Sequence, residues 1–199
     1  MKEIILASAS AQRKLLLENI GLNFRIEKSN YEENMSLEME PHNLAKFLSK
    51  GKARAVARKH KNSIIIGADS FIIFQGKMLG KPHTKKRARE MLKQLSGKWH
   101  SAITGITVID TAKNKEISKS LETKVYVKNL SQKEINDYIN TKEPLDKAGS
   151  YGIQRLGSCI IEKINGEYTN VVGLPIPALA DALRNLGVNI FDKKWRKNI

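Results

Sequence analysis

Five short stretches of the chain carry side chains that could handle a polyanion. Ser8-Ala9-Ser10 follows an apolar segment and precedes a helix-like run containing Arg13. The N–H groups of a helix start, two hydroxyls and a guanidinium together suit a phosphate. A serine at such a place also serves as a plain N-cap, so this feature alone keeps both readings. Asp69 ends the apolar run of residues 63–68, where a carboxylate at the carboxyl end of a buried strand would line a ligand crevice. An aspartate that satisfies its own turn is the other reading. Lys52 lies four residues after Leu48 in a long amphipathic segment, where its stem could follow the apolar edge. Lys81 stands between Gly80 and Pro82, which could aim its ammonium or merely place it in a loop. Residues 146–154, Asp-Lys-Ala-Gly-Ser-Tyr-Gly-Ile-Gln, combine charge, an amide and two glycines that permit close backbone approach to a ligand. His42, His60, His83 and His100 show no HxxxH or HxxE spacing, and there is no G-x-S-x-G. These absences argue against a histidine metal site and a hydrolase triad.

The elements that must position these groups can be read from pattern. Residues 2–7 predict a buried strand, and residues 11–20 a helix stopped by Gly21. Phe24 and Ile26 suggest a second strand, and residues 29–40 a loop. Pro41 opens a helix to about His60, with Leu44, Phe47, Leu48, Gly51 and Ala55 at helical spacing. Gln75-Gly76 predicts a hairpin between residues 71–74 and 77–79. A helix over 84–95 follows, then two long strands over 100–109 and 117–127. Ser131-Gln132-Lys133-Glu134 is a capping box opening a helix to Asn140. Residues 141–157 read as a loop, 158–164 as a strand before the Asn165-Gly166 turn, and 175–186 as the last helix. Strands and helices alternate at first, with an antiparallel pair in the middle. The expectation is an α/β fold with a mixed central sheet and flanking helices.

Composition bounds the alternatives. The 199 residues, 41% hydrophobic and 28% charged, fit one domain or two small lobes with a core of their own. A single cysteine, Cys159, excludes an internal disulfide framework and a cysteine-rich zinc site. No apolar run approaches the ~20 residues of a membrane helix, and the first residues are too short in apolar content for a signal peptide. A soluble, cytoplasmic protein of a reducing compartment is expected. Lys and Arg number 35 against 20 Asp and Glu, a net charge of +15 that suits a polyanionic partner. The charges are scattered along residues 46–61, 85–89 and 193–197, which favours solvated helix faces for most of them and a frayed end for the basic tail, residues 190–199.

Taken in order, these residues resemble the Maf family. The similarity is carried by Leu6-Ala7-Ser8-Ala9-Ser10, Arg13, Glu33, Lys52-Ala53, Gly67-Ala68-Asp69, Gly80-Lys81-Pro82, Leu95-Ser96-Gly97-Lys98, Asp146-Lys147-Ala148-Gly149, Tyr151-Gly152-Ile153-Gln154 and Val172-Gly173-Leu174-Pro175. It spans about residues 3–186 as one Maf-like domain. The resemblance implies two lobes flanking a cleft and a pyrophosphatase that splits a nucleoside triphosphate into monophosphate and pyrophosphate. It also implies a divalent metal ion, Mg²⁺ or Mn²⁺, and a possible homodimer. Family relatives are associated with division arrest and with removal of unwanted nucleotides.

By the same resemblance, Asp69, Lys52, Lys81 and Glu33 are the catalytic candidates. Glu33 and Asp69 are the metal-ligand candidates, and Asp69 is also the candidate base; sequence does not separate these two roles. Ser8, Ser10, Gln12, Arg13, Ser70 and Gln154 are the substrate-binding candidates. The usual run Ser-x-Ser-Pro-Arg-Arg is Ser8-Ala9-Ser10-Ala11-Gln12-Arg13 here, so one cation is replaced by an amide. Ser70 and Gln154 look more like the dTTP/UTP subgroup than the 7-methyl-GTP subgroup. The competing readings are a 7-methyl-GTP-type enzyme, a nucleic-acid-binding protein and a division regulator without turnover. No RNP-type, zinc-finger or helix-turn-helix signature supports nucleic acid.

Overall fold

The computed structural model describes residues 2–32 and 38–197. In chain order the elements are β1 (Glu3–Leu6), α1 (Ala11–Asn19), β2 (Arg25–Ile26), α2 (Pro41–Ala57), β3 (Ser63–Phe74), β4 (Lys77–Leu79), α3 (Lys85–Leu95), β5 (Trp99–Asp110), β6 (Lys115–Val127), α4 (Gln132–Asn140), β7 (Ile161–Asn165), α5 (Tyr168–Val172) and α6 (Ile176–Asn185). Among the described residues seven strands form one sheet in the order β2-β1-β3-β5-β6-β7, with β4 on β3. β1 runs parallel to β2 and β3, whereas β4 is antiparallel to β3 and β7 to β6. The fold is the expected mixed α/β architecture. The chain divides into two compact units, one of Met1–Ser70, Thr104–Leu121 and Gly173–Ile199, the other of Phe71–Ile103 and Glu122–Val172.

In the first unit β1 and the start of β3 are covered on both faces, which explains their unbroken isoleucine-rich runs. Ile5, Leu6 and Ile64 to Ile66 are all fully buried. Each contributes roughly 1.5–3 kcal/mol of hydrophobic stabilisation. Helix α2 starts at Pro41, whose missing N–H costs nothing at a helix start. Its Ala53 and Val56 pack with Ile5, Ile65 and Ile109. Two glycines set how closely α2 can lie. A Cβ on Gly67 would sit 2.4 Å from the Ser49 carbonyl oxygen, and one on Gly105 would sit 2.1 Å from that of Ala45. Only glycine permits these approaches, and the first brings the middle of α2 directly over β3.

Several elements differ from expectation. Phe47 is 41% exposed, because Leu44, Leu48 and Val56 already fill the buried stripe. Helix α2 ends at Ala57, three residues early. Strand β3 does not end at Asp69. It continues to Phe74, because β4 pairs with residues 72–74 and extends it. Strand β7 begins at Ile161, since Arg155–Cys159 form a 3-10 turn, and α5 was not legible at five residues long. The loop at 141–157 holds two further 3-10 turns, Glu143–Asp146 and Ala148–Ser150. The basic tail is anchored rather than frayed as far as it is described. Trp195 is buried, its carbonyl accepts from Asn23 N–H at 2.8 Å, and Lys197 N–H donates to the Gly21 carbonyl at 2.8 Å. Among the described residues no helix is long and apolar enough to cross a membrane.

The second unit packs α3 and α4 around Leu92, Leu95, Val125, Val127, Ile135 and Ile139. The predicted capping box at α4 is present in both directions. Its backbone N–H and the Lys128 ammonium hold the Glu134 carboxyl down at about 2. His100 is buried beside Tyr151 of this core, with Nε2 2.7 Å from the Tyr151 hydroxyl, and among the described residues Nδ1 has no hydrogen-bond partner. Burial lowers the His100 pKa to about 4. The unfolded chain therefore takes a proton near pH 6.5 that the folded chain refuses until about pH 4. Stability from this group is complete above pH ~6.5 and is lost as pH falls, by about 3 kcal/mol at pH ~4. Unfolding free energies of wild type and His100→Gln, measured across this range, should converge or cross as the pH drops. Parallel curves would contradict the assignment.

Candidate active site

The first unit assembles most of the predicted site from four pieces of chain. Strand β1 stops at Leu6 while β3 continues, and the last paired residues are Leu6 and Ile66. Past this point β3 has lost its β1 neighbour, so Asp69 and Ser70 lie beyond the end of β1, near where the chain turns into α1. The strand-end expectation for Asp69 thus fails in its letter, yet Asp69 does lie just past the point where the parallel pairing stops.

Lys52 projects from α2 to Asp69 and makes a hydrogen-bonded ion pair with Oδ1. Both side chains are largely buried, 14% and 10% exposed. Gly67 makes this possible by seating α2 against β3 at residue 49, one helical turn before Lys52. Among the described residues Lys52 is the hydrogen-bond partner of the Asp69 carboxylate, which leaves Oδ2 to receive a proton or a cation.

Ser10 is the N-cap of α1 and accepts from Arg13 N–H at 3.4 Å; its hydroxyl donates to Gln12 Oε1 at 3.4 Å. The Arg13 guanidinium is held on three sides. Nη1 donates to Ser8 Oγ at 3.1 Å, Nη2 to Ser70 Oγ at 3.2 Å, and Nε to the Gly173 carbonyl at 2.9 Å. Gly173 has φ of +119°, a backbone state closed to most side chains. Thr104, on β5, donates to Ser70 Oγ at 2.9 Å. A planar cation fixed among hydroxyls, with a buried Lys–Asp pair at the residue next to Ser70, has chemistry suited to a polyphosphate.

Ser8, Ser10, Gln12, Arg13, Lys52, Asp69 and Ser70 therefore share one unit. Lys81 and Gln154 belong to the other. There, Gly80 and the segment after residue 141 are joined, with Gly149 N–H donating to the Gly80 carbonyl at 3.2 Å and His83 N–H to that of Leu145 at 3.1 Å. The turn that follows Gln154 is tied down by Glu143, whose Oε1 accepts from Gly157 N–H at 3.0 Å and from the Tyr138 hydroxyl at 3.1 Å. Burial pushes the Tyr138 phenol up, so it stays a neutral donor to Glu143. Glu33 lies outside the described residues. Sequence reading missed Thr104 and the Glu143–Tyr138 brace. Gly173 was legible only as part of the Val172–Pro175 motif.

Among the described residues no group of three or more His, Cys, Asp or Glu side chains could enclose a metal ion. What the site offers is a carboxylate oxygen not taken by Lys52. That suits a hard divalent cation completed by phosphate oxygens and fits no soft or histidine-bound metal.

A family model described as Maf-like protein matches residues 3–186. The chain is 46% identical over 193 residues to a dTTP/UTP pyrophosphatase of Methanococcoides burtonii, covering 96% of this chain and 99% of that one. It is 48% identical over 183 residues to a dTTP/UTP pyrophosphatase of a Thermoanaerobacter species, covering 92% and 95%. A third relative, the dTTP/UTP pyrophosphatase of Clostridioides difficile, is 42% identical over 189 residues, covering 94% and 97%. With its motifs, its fold and these matches in agreement over nearly its whole length, the chain belongs to the Maf-like protein family.

Proposed function

We infer that this chain is a nucleoside triphosphate pyrophosphatase of the dTTP/UTP type. It adds water to a nucleoside triphosphate and releases the monophosphate and pyrophosphate. One observation carries the reading: a buried Lys52–Asp69 pair accompanies the Arg13–Ser8–Ser70 cluster in a chain 42–48% identical, end to end, to proteins named for that activity.

Water attacks the α-phosphorus, a new P–O bond forms, and the bond to the β-phosphate's bridging oxygen breaks. Asp69 orients that water and takes its proton on Oδ2 while Lys52 fixes the carboxylate through Oδ1. Arg13 and the Ser8 and Ser10 hydroxyls bind the phosphates, and Lys52 and Lys81 offset the charge that builds on the leaving oxygens. A divalent cation, Mg²⁺ or Mn²⁺, would be held by Glu33, and by Asp69 where that carboxylate serves as ligand instead of base, and would neutralise the triphosphate and draw charge from its oxygens. Ser70, Gln12 and Gln154 read the base.

Pyrophosphate release should be assayed with Mg²⁺ or Mn²⁺ over dTTP, UTP, CTP, GTP and 7-methyl-GTP. Turnover led by dTTP and UTP is the expected result. Turnover led by 7-methyl-GTP would move the chain to the other subgroup. Turnover of none, with tight and salt-sensitive binding to duplex DNA, would replace the enzyme by a nucleic-acid binder.

A further inference from the structure

The hydroxyl of Ser70 has one proton to give and two lone pairs to accept with. Both lone pairs are taken within the first unit. Thr104 Oγ1 donates to Ser70 Oγ at 2.9 Å, and Arg13 Nη2 donates to it at 3.2 Å. Ser70 can therefore act toward any further group only as a donor. Its acceptor within the protein is the Gly173 carbonyl at 3.4 Å, longer than the usual range for an O–H···O bond. The proton is weakly engaged, and Ser70 is partly exposed while Thr104 is fully buried.

We propose that Thr104 is a specificity-determining positioning residue: by filling one lone pair of Ser70 it turns that hydroxyl into an obligate donor, which reads the C4 carbonyl of uracil or thymine and rejects the C4 amino group of cytosine. The proposal rests on the dTTP/UTP reading above. Uracil and thymine share a C4 oxygen that only accepts. Cytosine has at the same place an amino group that only donates. Opposite a donor-only hydroxyl the amino group finds no partner, and an unpaired buried polar group is what gives such sites their discrimination. Arg13 alone could not impose this polarity. With one lone pair open, Ser70 could accept from cytosine as readily as it donates to uracil. Thr104 is suited to close it, since it is fully buried on β5, and threonine's χ1 is restricted by branching.

The test uses four variants of the full chain and two probes, the UTP and CTP analogues with a methylene in place of the α–β bridging oxygen, so that binding is read without turnover. Thr104→Val keeps shape and removes the hydroxyl. It should lower the preference for the UTP analogue over the CTP analogue by about tenfold, mainly through a gain for CTP. Thr104→Ser keeps the donor and should retain the wild-type preference even where it lowers thermal stability. In a Ser70→Ala background, Thr104→Val should no longer change the ratio. Should Thr104→Val fail to fold, Ser70→Ala decides alone, with loss of the preference expected. An unchanged ratio in Thr104→Val, or a full preference in Ser70→Ala, overturns the proposal, as does wild-type binding without preference. Absence of pyrophosphate release from UTP together with a clear, Thr104-dependent binding preference would instead overturn the enzymatic reading and leave the proposal standing.

Discussion

Replacing Asp69 by asparagine should lower turnover of dTTP and UTP by roughly 10²–10⁴ while the protein still folds and still takes up nucleotide. The substitution preserves size and keeps an oxygen for Lys52, so α2 stays seated over β3. What disappears is the second carboxylate oxygen as a proton acceptor and as an anionic ligand. Single-turnover rates with saturating nucleotide separate the loss of chemistry from any loss of binding. Undiminished turnover in Asp69→Asn would remove it from the reaction.

The second large effect is expected at Lys52. Lys52→Ala leaves the Asp69 carboxylate buried without the ammonium on Oδ1, and activity should fall by at least about 10². Stability should fall too, since stripping one partner from a buried pair costs on the order of 3–5 kcal/mol. The double variant Lys52→Met with Asp69→Asn should recover much of the stability and none of the activity, because no uncompensated charge is left. Lys86→Ala and Lys194→Ala, on exposed surfaces, should leave activity close to wild type. Equal losses at all three lysines would mean that the +15 charge acts as a general polyanion field and not through this pair.

The sequence made some of this arrangement visible and hid the rest for physical reasons. Local signals were reliable. Pro41 at a helix start, the Ser131–Glu134 box and the Gln75-Gly76 turn all sit where the chain's own chemistry puts them. Lys52 could be singled out from its many cationic neighbours because it follows Leu48 by one helical turn. Asp69 stood out as a candidate but was misplaced within its strand, since what carries β3 on to Phe74 is pairing with β4, a partner outside the run itself. The clamp around Arg13 was less accessible still. Its contacts join residues 5, 57 and 160 positions away, and a threonine inside a buried strand looks like any other strand residue. The tail misled by composition: its lysines suggest solvent, while Trp195 supplies the apolar anchor that holds it.

Attack of water on the α-phosphorus fixes where the solvent oxygen ends up. Hydrolysis of UTP in ¹⁸O-enriched water, with Mg²⁺ present and products resolved by ³¹P NMR and mass spectrometry, tests it directly. The expected products are uridine monophosphate carrying the label and unlabelled pyrophosphate. Labelled pyrophosphate, or uridine diphosphate with orthophosphate, would contradict it.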